Sequence, residues 1–346
     1  MNTRHPLQRL LAYGQQYRGQ TWQAAISSVF NKLCDVAPEI LIGMAVDVVV
    51  KKQDSFIATL GIRNVEQQLI VLTMITVVVW VLESLSQYVY TNLWRNLSQK
   101  IQHNLRLDAY GHIQQLELAY FENQSTGNLM AILGDDINQL ERFLDVGANE
   151  IIQVVTNAIV IGGVFFVLAP SLAWWSMVPI PIIIIGSILF QKKLAPYYTN
   201  AREKVGLLNS RLANNLGGIT TIKSFTTEAY ELDRVRADSE AYRQSNRRAI
   251  AVSAAFVPLM RMAVLFSFTM TLLLGGISAV NGQLGVGTYS ILIYLTQRLL
   301  WPLTRLGETL DLYQRGMAST NRVMDLLDTP IAIDSGNLVL PHVSGE

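Results

Sequence analysis

Charge is scarce in this sequence. Only 15% of its 346 residues are Asp, Glu, Lys or Arg, against about 25% in an ordinary soluble domain, while half are apolar. That imbalance argues against a soluble globule and for a chain whose surroundings are lipid. The net charge of +1 excludes bulk attraction to a polyanion, so no nucleic-acid partner is expected. Cysteine is almost absent: Cys34 alone permits neither an internal disulfide nor a cysteine metal cluster, and reads as a small buried apolar residue. The four histidines (His5, His103, His112 and His342) are scattered, and the nine-residue gap between His103 and His112 is no ligand spacing on a helix, so no metal site is expected. No glycine is followed by lysine, which excludes a P-loop for nucleotide phosphates. No catalytic residue is assigned, and the chain is not expected to be an enzyme by itself. The first 21 residues carry Arg4, Arg9 and Arg18 but lack the continuous apolar core of a cleavable leader.

What is present is apolar and long. Residues 151–191 and 262–297 contain no charged side chain. Each stretch is too long for one crossing, which takes roughly 20 residues, and suits two. Ala169-Pro170-Ser171 divides the first and Asn281-Gly282-Gln283 the second. With two earlier spans, over about 22–50 and 69–94, the count is six; the others are 151–168, 172–190, 249–280 and 285–303. With the N-terminus inside, the inner segments hold 21 of the 27 Lys and Arg, the outer loops only Lys51, Lys52 and Arg63. Both termini are therefore expected in the cytoplasm of a multi-pass protein of the cell membrane. Leu7, Leu10, Leu11 and Tyr17 fall at near-helical spacing, which predicts an amphipathic helix over residues 1–21, lying along the membrane or simply solvated.

The inner segments continue the helices. Ile101, Leu105, Ala109 and Ile113 repeat every four residues after the second span, without proline. Span and extension together make about 50 residues, or roughly 75 Å, far more than a bilayer core needs. The same pattern is expected over 128–150, 191–222, 229–248 and beyond the sixth span to Leu327. The fold is thus an all-α membrane protein with six long transmembrane helices extending into the cytoplasm. Each of the two long hairpins is interrupted at its far end. Tyr120, Phe121, Glu122 and Asn123, with Gly127 suited to reversal, form one tip. Gly217 and Gly218, then Lys223, Ser224, Phe225, Thr226 and Glu228, form the other, with Thr227 a candidate cap. Aromatics at such tips either dock on a partner or pack locally at a corner.

Charges inside spans are costly and usually face a cavity or a partner. Asp35 and Glu39 share a face of the first span, which also carries Lys32 and Asp47; Glu83, Arg261 and Arg298 lie in the second, fifth and sixth. Asp35, Glu39, Glu83, Arg261 and Arg298 are candidates for lining a substrate cavity; alternatively the arginines pair with Glu39 or Glu83 to hold the bundle. Pro38, Pro179, Pro181 and Pro258 are expected kinks.

Ala119-Tyr120-Phe121 through Ser125-Thr126-Gly127-Asn128-Leu129, followed by Asp135-Asp136, resembles the first intracellular loop of ATP-binding cassette exporters. Gly218-Ile219-Thr220-Thr221-Ile222-Lys223-Ser224-Phe225 with Glu228 resembles their second. Gly282 to Thr288, then Trp301-Pro302-Leu303, then Ala318-Ser319-Thr320-Asn321-Arg322-Val323 are similar to the family's final span and its exit. Ile132 stands where the family often has an arginine. The resemblance implies a type 1 exporter permease half. Its tips, Tyr120 to Gly127 and Ser224 to Tyr230, would be coupling helices seated on a nucleotide-binding domain that holds ATP and Mg²⁺. It also implies a second half, most simply an identical one, with lipid around both, and an amphipathic substrate moved by alternating access. The expected organisation is an elbow helix over 1–21, a six-helix domain over 22–328, and over 329–346 a linker towards an ATPase that lies further along the full protein or on a separate subunit. The rivals are an ion-gradient transporter, a membrane-embedded enzyme and a non-transporting scaffold. No inverted repeat or clustered catalytic set favours the first two.

Overall fold

The computed structural model describes residues 5–332, the Thr304 side chain excepted. Most of the expected linker, 333–346 with Asp334, Gly336 and Pro341, lies outside the described residues. Among the described residues there is no strand. Helix α1 spans Pro6–Tyr13, α2 Arg18–Lys51, α3 Val65–Gln115, α4 Leu118–Asn123, α5 Thr126–Leu168 and α6 Pro170–Gly217. Then follow α7 Ile219–Ser224, α8 Glu228–Val280, α9 Val286–Leu300 and α10 Leu306–Leu327.

Helices α3, α5, α6 and α8 are each long and apolar enough to cross a membrane, running 51, 43, 48 and 53 residues. Their apolar segments leave Ile159, Val167, Trp174 and Val280 largely exposed, as lipid-facing side chains should be. The fold is that of an all-α membrane protein. Of the six expected spans, the first and last fall on helices below that standard: α2 carries Lys32, Asp35, Glu39 and Asp47, and α9 has only 15 residues. Both expected hairpin turns are present. Ala169 leaves the helical region just before Pro170 at the first position of α6. At the end of α8, Gly282 adopts φ +73° while the Gln283 amide donates back to the Ser278 carbonyl at 2.9 Å, a glycine-closed C-terminus. Pro258 cannot donate to the Ala254 carbonyl, and α8 is interrupted at Ala255. Val178 interrupts α6 just before Pro179, whereas Pro38 lies inside α2 without a break.

The chain divides into two compact units. The first comprises the described parts of Met1–Pro38, Thr73–Asn157 and Glu308–Glu346. Its core holds the predicted stripe on α3, Ile101, Leu105, Ala109 and Ile113, all buried, preceded by the buried Trp94 and Leu97. They pack with Leu10 and Tyr17, with Ile137, Leu140 and Phe143 of α5, and with Met317, Val323 and Met324 of α10. The unbroken α-helix expected over 128–150 instead contains two π-helical turns, Ile132–Asp136 and Phe143–Gly147. Each widens the helix by a residue, and the second sets Phe143 where a side chain on Gly147 or Gly316 would meet its ring.

The amphipathic segment is fastened to α3. The Tyr13 hydroxyl donates to Asp108 at 2.7 Å, and Asn104 donates to the Tyr17 hydroxyl. These partners lie fourteen and ten residues beyond Trp94 on α3, roughly 21 and 15 Å along the helix. Helix α1 therefore rides on the extension of α3, with Leu10 buried and Leu11 turned outward.

The second unit comprises Glu39–Leu72 and Ala158–Gly307. Here α6 and α8 run as a long pair tied by Arg211 to Asp238 and by Ser245 to Asn200 at 2.6 Å. Their apolar parts meet through small polar side chains: Ser176, Ser187, Ser267 and Thr271 are buried, with Ser176 and Thr271 3.0 Å apart, and the buried Thr296 of α9 donates to Thr271 at 3.3 Å. Small residues let backbones approach, and hydroxyls replace the hydrophobic drive that is missing in lipid. Val48, Ile57 and Leu72 close a small cluster beneath the loop between α2 and α3, pinned by Ser55 donating to Gln68 at 2.6 Å.

Candidate functional site

The first tip belongs to the first unit. Two extended residues, Glu117 and Gln124, bracket α4 and cut it off from its neighbours. Ser125 then starts α5 as a cap, its hydroxyl accepting from the Asn128 amide at 3.2 Å. Gly127 is not the reversal residue expected: it sits in the first turn of α5, is absent from the positive-φ glycines, and has open space where a Cβ would be. Gln124 and Ser125 make the corner. Tyr120 packs partly into the core, edge-on to Phe121 at 5.8 Å, and burial pushes its phenol above the ordinary range. Leu118, Phe121, Glu122 and Asn123 face outward, Leu118 at 76% exposure. Local packing and outward display thus divide between two adjacent aromatics.

The second tip belongs to the second unit. Its short helix is α7, Ile219–Ser224, and the reversal follows at 225–227, so the Ser224 to Tyr230 segment is not itself a single helix. The Thr227 amide donates to the Ile222 carbonyl at 3.1 Å and the Thr226 amide to Lys223 at 3.3 Å. This is the pattern that ends α8, yet the left-handed position is held by Thr226 at φ +55°, where a β-branched residue is strained. Thr227 occupies the cap position of α8 but its side chain makes no cap bond there; its hydroxyl points back to the Ile222 carbonyl at 3.5 Å. Lys223 closes the turn on Glu228 at 2.9 Å, and that hydrogen bond holds the Glu228 carboxyl below its usual range. Phe225 and Tyr230 stand 73% and 64% exposed, with Arg234 over the Tyr230 ring at 5.6 Å.

The five intramembrane charges fall in both units, Asp35 and Glu83 in the first and Glu39, Arg261 and Arg298 in the second. In the first unit, Asp35 takes Lys32 at 2.7 Å on its own helix. There the Glu83 carbonyl accepts from Asn31 at 3.0 Å. In the second unit, Arg298 lies 3.4 Å from Glu39, one of the pairings anticipated. Arg261 instead sits over the Trp301 ring at 5.5 Å.

Two arrangements escaped the sequence reading. Beyond the anticipated Glu39–Arg298 pair, Gly43 and Asp47 continue the stripe of α2 against Ile291 and Gly287 of α9. A Cβ on Gly43 would meet the Gly287 carbonyl at 2.7 Å as well as Ile291, so the two backbones touch. Asp47 accepts from the Gly287 amide at 3.0 Å and from Lys51 at 2.9 Å. The first turn of α9 is thus capped by a carboxylate 240 positions earlier. In the first unit, the buried Asp136 of the first π-turn receives Arg322 and the Ser319 hydroxyl, the latter at 2.8 Å. These residues belong to two separately quoted motifs; their meeting is what the sequence left invisible. Among the described residues no cluster of His, Cys, Asp or Glu is arranged to hold a metal.

Comparison with known proteins bears on residues 22–303, which match the family model for the ABC transporter transmembrane region. An uncharacterized ABC transporter ATP-binding protein of Bacillus subtilis, YwjA, is 26% identical over 77% of this chain and 48% of its own length. The multidrug resistance-like ATP-binding protein MdlA of Buchnera aphidicola (from Schizaphis graminum) is 22% identical over 98% of this chain and 57% of its own length. A fatty acid ABC transporter ATP-binding/permease protein of Mycobacterium tuberculosis is 23% identical over 71% and 39%. The chain spans about half the length of the curated relatives it matches. With more than half its residues inside the matched region, this chain belongs to the ABC transporter transmembrane region family.

Proposed function

We propose that this chain is the permease half of an ATP-driven exporter of the cell membrane, with both termini cytoplasmic. It works with a second, identical half and moves a lipid, drug-like or other amphipathic substrate by alternating access. ATP and Mg²⁺ bind a nucleotide-binding domain, in the same full-length chain or on a separate subunit, and not the residues described here. The observation that carries this reading is the pair of tips. Each is a helix of 6 residues set at the end of helices that run far beyond their apolar segments, and each shows an outward aromatic, Phe121 or Phe225. Buried aromatics are strong interface anchors, and a rigid lever passes on a domain movement only when its end is held. That the MdlA and fatty-acid relatives carry names for multidrug resistance and fatty acids agrees with an amphipathic substrate. Glu39 and Arg298, together with Asp35, Glu83 and Arg261, remain the residues proposed to set charge preference.

The test is transport by the full-length protein in sealed liposomes. Uptake of an amphipathic fluorophore should require hydrolysable ATP and survive ionophores that collapse ion gradients. Uptake that follows an imposed proton or sodium gradient without ATP would establish the secondary-transporter alternative, and no uptake of any kind would favour the scaffold.

A further inference from the structure

The end of α10 is built against its own electrostatics. A helix C-terminus carries a partial negative charge and favours cations. Yet α10 has no basic residue in its last turn; Asp325 sits there instead, and Asp328 follows its final residue. The missing cation comes from the start of the chain. Arg9, on α1, has a side chain only 6% exposed, and its guanidinium reaches Asp325 at 2.7 Å, Asp328 at 3.0 Å and Asn321 at 3.4 Å. Asn321, Asp325 and Asp328, spaced four and three apart, run down one side of α10 and just past its end. Beside them, His112 of α3 donates Nε2–H to the Thr329 carbonyl at 2.8 Å, taking one of the orphan acceptors of the helix end. Helix α1 is itself fixed to α3 by Tyr13 on Asp108 and by Tyr17 on Asn104. Asp108 pushes the Tyr13 phenol well above its usual range, second to burial.

We propose that Arg9 is a positioning residue for energy coupling: it clasps the last turn of α10 and keeps that turn helical where the chain leaves the permease. The proposal rests on the functional reading above, in which α10 leads to the ATPase. A helix end that is unfavourable alone and stable only when clasped is suited to pass motion while the clasp is closed, and frays when it opens. The buried guanidinium gives one charge-assisted N–H bond to each of two half-exposed carboxylates, and bonds between ionised partners are stronger than neutral ones. They also cannot be matched by lysine, which lacks the planar fork.

The experiment compares wild type, Arg9→Lys, Arg9→Ala, and Arg9→Ala combined with Asp325→Asn and Asp328→Asn, each in the full-length transporter in liposomes. Two quantities are read: amide exchange over 322–329, and substrate moved per ATP hydrolysed. Arg9→Ala should speed exchange there by several-fold to tenfold and cut the transport ratio several-fold, with basal ATP hydrolysis within about twofold of wild type. Arg9→Lys should fall between. The triple variant, which removes the unfavourable acids, should recover most of the slow exchange and of the ratio. Unchanged exchange in Arg9→Ala overturns the clasp, and a wild-type transport ratio beside fast exchange overturns its role in coupling. Failure of the triple variant to recover overturns the electrostatic cause. If wild type itself moves nothing with ATP, the functional reading fails, and with it the coupling role; exchange over 322–329 still decides the clasp.

Discussion

Single residues settle where this chain tolerates change. Gly43 and Gly287 allow α2 and α9 to touch backbone to backbone, so any side chain there must push helices apart. Overpacking of that kind costs about 1–3 kcal/mol. Gly163, whose Cβ position is open, offers a control within the same unit. Gly43→Val should lower the detergent unfolding midpoint by several degrees while Gly163→Val leaves it nearly unchanged; equal midpoints would contradict the crossing. Residue-scale features were the least legible in the sequence. Asp47 reads as one more polar residue of an oddly charged span, because nothing local announces that it caps an amide 240 positions away. Gly127 misleads for the opposite reason: glycine suggests a turn, while the corner is made by the extended Gln124 and the serine cap Ser125. Arg9 reads only as part of a basic N-terminus, since its acceptors lie more than 300 positions off.

At the scale of elements the sequence was far more informative. The 51 residues of α3 follow from an uninterrupted helical repeat without proline, and its buried stripe Ile101, Leu105, Ala109 and Ile113 is the one the spacing predicts. Helix ends were legible where glycine or proline punctuates, as at Ala169-Pro170 and Gly282. The π-turns of α5 were not, because they answer to packing at Asp136 and Phe143 and leave no compositional mark. The short helix of the second tip was displaced for a related reason. Its β-branched run, Ile219 to Ile222, has modest helix propensity, yet the helix forms there and ends in a strained threonine. A pH dependence follows at this tip. The folded Glu228 carboxyl titrates below its ordinary value of 4.5 because Lys223 bonds the ionised form. The pair's contribution is therefore complete above about pH 4.5 and is lost as pH falls through the lowered folded value. Amide exchange over 224–228, corrected for intrinsic rates, should be level between pH 6 and 8 and accelerate only in acid, while Glu228→Gln should show the acid-state protection throughout. A rise in exchange between pH 6 and 8 would contradict this ion pair.

The whole molecule is legible as a membrane protein from charge scarcity alone, and four of its helices satisfy length and apolarity without further help. The first and sixth expected spans needed more than composition, since the first carries four charges within 22–50 and α9 is short; the family match across 22–303 covers both. The two tips fall in different units, one in each. On the proposed reading, ATPase movement enters the permease through two separately built supports, and each tip must touch an ATP-hydrolysing domain directly. The most direct test replaces Phe225, the most exposed aromatic of the second tip, with a photo-crosslinking benzoylphenylalanine in the full-length transporter. After irradiation in liposomes, mass spectrometry should map the adduct to the nucleotide-binding domain. Adducts confined to lipid or to the chain's own helices would contradict the account.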